Sequence, residues 1–321
     1  MDRRKFLQAL VASGGGAALA ASSGSEAETH EKPANENQVG CLVDTTLCIG
    51  CRQCEEACNR RNKLPKPEKS FKDRSVLRTF RRPVEGAFTV VNEFPGSPSP
   101  DQEERESTYA KFQCMHCIDP ACVSACIDGA LTRAKDGAVV YNPTICLGCR
   151  YCMVACPFQI PAYEYDRVLT PRVRKCEFCA DREKGTGANP ACAAACPVEA
   201  IVFGKRESLL KLAKDRIKIR PDRYLDHIYG EHEVGGTSWM YLIGRPLEEI
   251  SLLSLPEAAP PRTTEHIQHT IFKYGILPVA FYGLLGGIMW LNSRKDQVQG
   301  EPPRTETHET SEDRGERGGD Q

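Results

Sequence analysis

Residues 144–157 read Thr-Ile-Cys-Leu-Gly-Cys-Arg-Tyr-Cys-Met-Val-Ala-Cys-Pro, and this stretch decides the fold. Its cysteines, Cys146, Cys149, Cys152 and Cys156, have the spacing C-x2-C-x2-C-x3-C-P, which binds [4Fe–4S] clusters. The first three thiolates share one tight loop and can hold three corners of a cube. We expect Cys156 at the start of the following helix, pointing away from that loop and toward a second cluster. One such stretch is therefore incomplete alone, and the chain should contain its partner.

Three further groups of four cysteines have related spacings. They are Cys48-x2-Cys51-x2-Cys54-x3-Cys58 (group one), Cys114-x2-Cys117-x4-Cys122-x3-Cys126 (group two) and Cys176-x2-Cys179-x12-Cys192-x3-Cys196 (group four), the stretch above being group three. Of the 17 cysteines, only Cys41 lies outside these groups, and we expect it to be a buried, small apolar residue. The sixteen grouped cysteines predict four [4Fe–4S] clusters. Four related units predict an α+β fold of two ferredoxin-like double-cluster units.

The composition excludes several classes of function. The 321 residues include 42 Lys and Arg and 43 Asp and Glu, so there is no basic excess of the kind that binds nucleic acid. The sequence shows neither a Ser/His/Asp set nor a nucleotide-binding glycine pattern, so we expect an electron relay with no substrate site of its own. A disulfide-stapled exported module is the alternative for a cysteine-rich chain, but repeated C-x2-C pairs favour metal coordination.

The N-terminal segment is typical of an exported protein. Arg3-Arg4-Lys5-Phe6-Leu7 precedes a weakly apolar, Ala- and Gly-rich stretch, which predicts a twin-arginine signal peptide over 1–27 and a polar linker over 28–40. An ordinary signal peptide with a chance arginine pair is the alternative. Iron–sulfur clusters are assembled in the cytoplasm, and a route that moves folded proteins can export them loaded. Cleavage after Ala20 and cleavage after Ala27 both remain open.

The C-terminal region predicts a membrane anchor. Residues 274–291 carry no charge, and a helix of this length rises about 27 Å, close to the hydrocarbon thickness of a bilayer. We therefore predict an extension toward the membrane over 231–270, a transmembrane helix over 271–292 and a disordered polar tail over 293–321. Arg294 and Lys295 favour a cytoplasmic C-terminus. A buried core helix is the alternative interpretation.

The remaining sequence predicts how the cysteine groups are connected. The cysteine-poor residues 61–109 are interpreted as an insertion that covers the clusters, inside a cluster domain over 41–230. Apolar runs and turn signals predict strands, and one run with helical periodicity predicts a helix. The predicted strands are 76–80, 87–91, 130–132, 138–141, 200–204 and 239–243, and the predicted helix is 207–216. His116 is either a hydrogen-bond donor that tunes a cluster or a surface residue.

The four groups resemble the four-cluster electron-transfer subunits of membrane-bound respiratory oxidoreductases. The export signal, residues 229–237 and His266-Ile267-Gln268-His269-Thr270 narrow the resemblance to the hydrogenase-2 (HybA-like) type. The resemblance implies a relay from the small subunit of a periplasmic [NiFe] hydrogenase to an integral membrane quinone-reactive subunit. The chain departs from the family in Asn59, where group one lacks its proline, and in a shorter Gly-rich tract.

The same resemblance implies which groups share clusters, because group one pairs with group four and group two with group three in this family. The implied ligand sets are Cys48, Cys51, Cys54 and Cys196; Cys176, Cys179, Cys192 and Cys58; Cys114, Cys117, Cys122 and Cys156; and Cys146, Cys149, Cys152 and Cys126. Two functions remain as alternatives. One is the equivalent relay of a formate dehydrogenase or other quinone-linked oxidoreductase, and the other is a scaffold whose clusters only hold the fold.

Overall fold

The structure is a computed structural model that describes residues 38–96, 106–167, 172–181 and 189–260, with 278, 281–291 and 294 further along. The chain divides into two units, residues 1–265 and 266–321. All the grouped cysteines belong to the first unit.

A four-stranded sheet with the order β8-β1-β10-β9 lies in the core of the first unit. Its strands are β1 (Val39–Asp44), β8 (Ile201–Lys205), β9 (Ile228–Tyr229) and β10 (Trp239–Leu242). Strand β1 runs parallel to β10 and antiparallel to β8. Both β1 and β10 are almost entirely buried, which fits their continuous apolar sequences, because a strand covered on both faces needs no polar alternation.

The two faces of this sheet contact different parts of the protein. On one face, Leu42 and Met240 pack against Leu209 of the helix α5 (Arg206–Ile219). Successive side chains of a strand point to opposite faces, so Cys41 and Trp239 point the other way and share a core with the cysteine loops. One face of the sheet therefore packs against the cysteine groups.

Each cysteine group carries one short helix of its own. The helices are α1 (Gln53–Asn62), α2 (Ala121–Ser124), α3 (Tyr151–Ala155) and α4 (Ala191–Ala194). Helix α1 packs against α4, and α2 packs against α3. The expectation that Cys156 begins a helix is wrong, because Cys156 directly follows α3; the corresponding Cys58 of group one lies inside α1. Each of them therefore lies C-terminal to the loop that carries the first three cysteines of its group.

Short antiparallel strand pairs connect these units. They are β2 (Thr89–Phe94) with β3 (Thr108–Gln113), β4 (Leu131–Arg133) with β5 (Val139–Tyr141), and β6 (Ala162–Tyr163) with β7 (Val173–Arg174). The β4–β5 hairpin turns at Lys135-Asp136-Gly137, as the Asp-Gly signal predicts.

Several predicted elements are confirmed, and others are wrong. The strands near 87–91, 130–132, 138–141, 200–204 and 239–243 and the helix near 207–216 are present within a few residues. The predicted strand 76–80 is wrong, because residues 76–78 belong to a 3-10 helix, Arg74–Arg78. This helix begins where the Asp73 carboxylate accepts a hydrogen bond from the Ser75 amide at 2.8 Å. Residues 239–242 do not belong to an extension, because β10 lies inside the central sheet.

In the second unit, residues 281–291 are helical. Within the described residues, no helix has both the length and the apolar character needed to cross a membrane. The predicted membrane segment 271–292 lies partly outside the described residues. The predicted signal peptide 1–27, most of the linker 28–40 and the tail 293–321 apart from Arg294 also lie outside them.

Candidate iron–sulfur sites

The four cysteine groups share one backbone turn. The residue before the second cysteine of each group has a left-handed conformation, with φ values of 64° at Gly50, 48° at His116, 72° at Gly148 and 60° at Phe178. This conformation costs a non-glycine residue about 1–2 kcal/mol, so its repetition indicates a common requirement. Turns of this kind direct successive N–H groups into a concavity that suits anions and iron–sulfur clusters.

The amide groups of these turns point at cysteine sulfurs. The Gly148 amide donates a hydrogen bond to Cys146 Sγ at 3.4 Å, and the Phe178 amide donates to Cys176 Sγ at the same distance. At Gly50, a Cβ atom would meet the Tyr109 ring at 2.5 Å, so the turn requires glycine there for space as well as for φ. The loop is therefore shaped both by its own conformation and by the β3 strand above it.

The first site consists of thiols from groups one and four that line one small cavity. These thiols are Cys48, Cys51, Cys54 and Cys196. Burial, with further contributions from the charges of Cys196 and Cys51, raises the pKa of Cys48 to about 11. The structure thus brings Cys196 to a loop that lies about 145 residues earlier in the chain.

The second and third sites are defined by thiols whose charges act on one another. The second site contains Cys58, Cys176, Cys179 and Cys192. Burial, then the charges of Cys192 and Cys179, raise the pKa of Cys58 to about 12. The third site contains Cys114, Cys117, Cys122 and Cys156. Burial raises the pKa of Cys117 most, followed by the charges of the other three thiols.

The fourth site lies at the protein surface. It contains Cys126, Cys146, Cys149 and Cys152. Burial, then the charges of its three neighbours, raise the pKa of Cys152 to about 12. The Cys149 residue is exposed, and Leu147 and Val154 beside it are 79% and 81% exposed. The surroundings of this site are therefore apolar but open to solvent.

The four sites adjoin one another in order. Besides burial, the charge of Cys192 helps to raise the pKa of Cys54, so the second site adjoins the first. Besides burial, the charge of Cys114 helps to raise the pKa of Cys176, so the third site adjoins the second. Besides burial, the charge of Cys152 helps to raise the pKa of Cys122, so the fourth site adjoins the third. The thiol sets form a continuous series across the first unit.

The thiol sets fit [4Fe–4S] clusters, because each set provides four sulfurs, one for each iron atom of a cube. All 17 cysteines carry free thiols, so the disulfide alternative does not describe this structure. Among the described residues, no three His, Cys, Asp or Glu side chains are grouped closely enough to hold one metal ion. A cube instead gives each thiolate its own iron atom, which spreads the four sulfurs apart. Burial raises the pKa of at least one thiol in every set, as at Cys48, Cys58 and Cys117, so iron binding must displace protons there.

His116 and two lysines complete the surroundings of the sites. His116 is fully buried, so the surface alternative is wrong, and its Nδ1 accepts a hydrogen bond from the Val139 amide at 2.9 Å. Burial, then the charges of Lys175 and Lys111, hold the pKa of His116 well below its usual value. Both lysines are buried, and sequence reasoning missed them because nothing in the local pattern of an isolated lysine marks it as internal.

Comparison with known proteins places this architecture in a family. Residues 106–206, which contain groups two, three and four, match the model of the 4Fe-4S dicluster domain. The hydrogenase-2 operon protein HybA of Escherichia coli O157:H7 is 34% identical over 94% of this chain and 98% of its own length. The iron–sulfur subunit of the nitrate-inducible formate dehydrogenase of Escherichia coli K12 is 30% identical over 77% of this chain and 81% of its own length.

The chain belongs to the 4Fe–4S protein family that contains HybA and the formate dehydrogenase iron–sulfur subunits. It is an iron–sulfur electron-transfer subunit, and [4Fe–4S] clusters are its cofactors. A protein of Nitratidesulfovibrio vulgaris is 42% identical over 94% of this chain and 80% of its own length, so the similarity extends well beyond the dicluster domain.

Proposed function

We propose that this chain relays electrons between a periplasmic [NiFe] hydrogenase and a membrane quinone-reactive subunit, with four [4Fe–4S] clusters held by the sixteen grouped cysteines. The observation that carries the proposal is the assembly of those cysteines into four adjoining sets. When bound, a [4Fe–4S] cluster supplies reversible one-electron transfer.

The residues of the chain have three tasks in this function. The thiols bind the clusters, and the left-handed turns direct backbone N–H groups at the cysteine sulfurs, as the Gly148 amide does. The apolar face of the central sheet, including Trp239 and Cys41, keeps water from the inner sites. Net charge, hydrogen bonds to sulfur and solvent exposure are the factors that set a cluster's potential, so this chain tunes each site through its surroundings.

The hydrogenase assignment is supported by the extent of the similarity to HybA. That relative matches over 98% of its length, whereas the formate dehydrogenase subunits match over 81% and 67% of theirs. A relay in a formate dehydrogenase is the second candidate, because those subunits are 30–34% identical over 65–77% of this chain. Purification of the native complex and identification of its catalytic subunit decides between the two.

The exposed fourth site supports docking of a protein partner at that end of the series. Ile127, Ile145, Leu147 and Val154 are all exposed around it. Exposed apolar groups of this kind mark protein interaction sites. Leu147→Glu together with Val154→Glu should slow electron exchange with the partner and leave the iron content unchanged. Ile219→Glu, at a 75% exposed residue of α5, is the matched control.

Iron and sulfide analysis tests the number of clusters. Four clusters correspond to about sixteen iron atoms and as much acid-labile sulfide per chain of anaerobically purified protein. A folded, active preparation with about eight iron atoms would show that two of the sites are not filled. Reduction of the clusters by hydrogen in the presence of the partner distinguishes a relay from a scaffold, since a scaffold needs no redox contact with its partner.

We also propose that the chain is exported by its twin-arginine signal and anchored to the periplasmic side of the cytoplasmic membrane by residues 271–292. The arginine pair and the uncharged run 274–291 support this location. Truncation after Pro260 should release a soluble, still brown protein into the periplasm and reduce electron transfer to quinone. If the truncated protein stays in the membrane fraction with no partner present, the anchor lies elsewhere.

A further inference from the structure

Lys111 is a buried cation in the wall of the first site. It lines the cavity that holds the four thiols of that site, and the residue is only 2% exposed. Its Nζ atom donates a hydrogen bond to Gln113 Oε1 at 2.7 Å and lies 4.1 Å from the centre of the Trp239 ring. Strand β3 and the central sheet therefore hold the ammonium group in one position.

The charge of Lys111 is not paired with a carboxylate among the described residues. Its hydrogen-bond partner is a neutral amide. The nearby buried Arg52, by contrast, is paired with the Glu55 carboxylate at 2.8 Å. Burying an unpaired charge is costly, so the compensating negative charge must come from another source.

Thiols of two sites lie near Lys111: Cys54 lines the same cavity, and Cys192 contributes to the electrostatics of Lys111. Burial by itself would lower the pKa of Lys111, but the charges of Cys192 and Cys54 outweigh it, and the pKa is raised. Cys54 belongs to the first site and Cys192 to the second, so the ammonium group lies at the junction of both. Four thiolates outnumber the positive charges of a cube, and a loaded site is therefore an anion that can supply the missing compensation.

The third and fourth sites have different charges beside them. Lys175 is 2% exposed, donates a hydrogen bond to the Cys176 carbonyl at 3.0 Å, and its charge acts on Cys122 of the third site. At the fourth site the neighbouring charge is negative, because the Asp128 carboxylate lies 3.1 Å from Cys126 Sγ. The charge of the surroundings thus changes sign along the series of sites.

We propose that Lys111 tunes the clusters in the first and second sites electrostatically. Its one buried positive charge is shared by both sites and raises both reduction potentials. The proposal rests on the four-cluster function above. A fixed positive charge stabilises the more negative, reduced form of a cluster, so it favours electron uptake at both sites.

The test uses the full-length, iron-loaded protein and redox titration monitored by electron paramagnetic resonance. Lys111→Met removes the charge and keeps the length of the side chain, and Lys111→Arg is the charge-retaining control. Gln113→Glu neutralises the same junction by another route, since a carboxylate then lies where Nζ now contacts the amide oxygen. Lys175→Met is the matched control at a different site.

We expect Lys111→Met and Gln113→Glu to lower the electron affinity of two clusters at least tenfold, which is about 59 mV for a one-electron couple. The other two clusters and the Lys111→Arg protein should titrate like the parent, and Lys175→Met should move the third-site cluster instead of the first. Unchanged potentials in Lys111→Met or Gln113→Glu with full iron content would overturn the proposal.

Loss of clusters also gives a decision. If Lys111→Met and Gln113→Glu both fail to retain the clusters of the first and second sites, while Lys111→Arg retains them, the positive charge itself is required. The proposal then stands. If Lys111→Arg loses them as well, Lys111 has a packing role only, and the proposal is wrong. Iron analysis of the unmodified protein is made first, because about eight iron atoms there would overturn the four-cluster function rather than the role of Lys111.

Discussion

The first and fourth sites contain the same C-x2-C-x2-C loop but lie in opposite surroundings. In the first site, the loop residues Cys48, Cys51 and Cys54 line a cavity closed by the central sheet and by Lys111. In the fourth site, Cys149 is exposed, and the Asp128 carboxylate lies 3.1 Å from Cys126 Sγ. Identical ligand spacing therefore specifies the kind of cofactor, while the surroundings determine how each cofactor exchanges electrons.

The arginine that follows the second cysteine shows the same contrast. Arg52 and Arg150 occupy equivalent positions, with φ values of 62° and 61°. Arg52 is buried and bound to Glu55, which also accepts a hydrogen bond from the Val91 amide at 2.7 Å. Arg150 is exposed, and its guanidinium carbon lies 5.4 Å from the centre of the Tyr163 ring. The same motif position thus forms a buried ion pair in the first site and an exposed aromatic contact in the fourth.

The largest expected effect comes from removing the one cysteine in each site that belongs to a different cysteine group from the other three. Cys196→Ala should eliminate the first cluster and Cys126→Ala the fourth, each with a loss of about four iron atoms of about sixteen. Iron analysis and the spectrum of the reduced protein measure this. Loss of the second cluster in Cys196→Ala, with the first intact, would show that ligands are not exchanged between groups one and four.

A smaller effect is expected from the two equivalent arginines. Arg52→Ala leaves the buried Glu55 carboxylate with Arg81, at 2.6 Å, and the Val91 amide, and should lower the free energy of unfolding by about 1.5–3 kcal/mol. Arg150→Ala removes an exposed cation–π contact and should cost about 0.5–1 kcal/mol. Urea unfolding followed by cluster absorbance and circular dichroism measures both. Equal losses would mean that the first site is no more dependent on its surroundings than the fourth.

Asp128→Asn should change the fourth site less, and in the opposite direction from the loss of Lys111. The substitution preserves the shape of the side chain that accepts a hydrogen bond from the Leu147 amide at 2.6 Å, but removes its charge. The reduction potential of the fourth cluster should rise, with a gain in electron affinity of less than about tenfold, because solvent screens this half-buried carboxylate. A redox titration that shows a fall would contradict the electrostatic contrast.

The smallest effect is expected at the cysteine outside the groups. Cys41 is fully buried in β1, as predicted, and burial is the main reason that its pKa is raised well above the usual value. Cys41→Ala should leave the iron content and all four potentials unchanged and cost about 1 kcal/mol of stability. A loss of about four iron atoms would make Cys41 a ligand of the neighbouring first site.

The sequence alone was sufficient for the local features. Cysteine spacing within a loop indicates which thiols can reach one cube, because a few residues of backbone limit where their sulfurs can lie. The β4–β5 hairpin and the helix α5 followed from an Asp-Gly turn and a helical apolar period, which are also local signals. The strand predicted at 76–80 failed because the Asp73 side chain stabilises a 3-10 turn at that point.

Only the tertiary structure decided which features lie together across long stretches of chain. It brings Cys196 to the loop of Cys48, and it places β10 beside β1 in the sheet rather than in an extension toward the membrane. It also buries Lys111, whose carbonyl accepts a hydrogen bond from the Tyr241 hydroxyl 130 residues away. The physical reason is that burial and electrostatic surroundings depend on which distant segments pack together, and residue spacing contains no record of that packing.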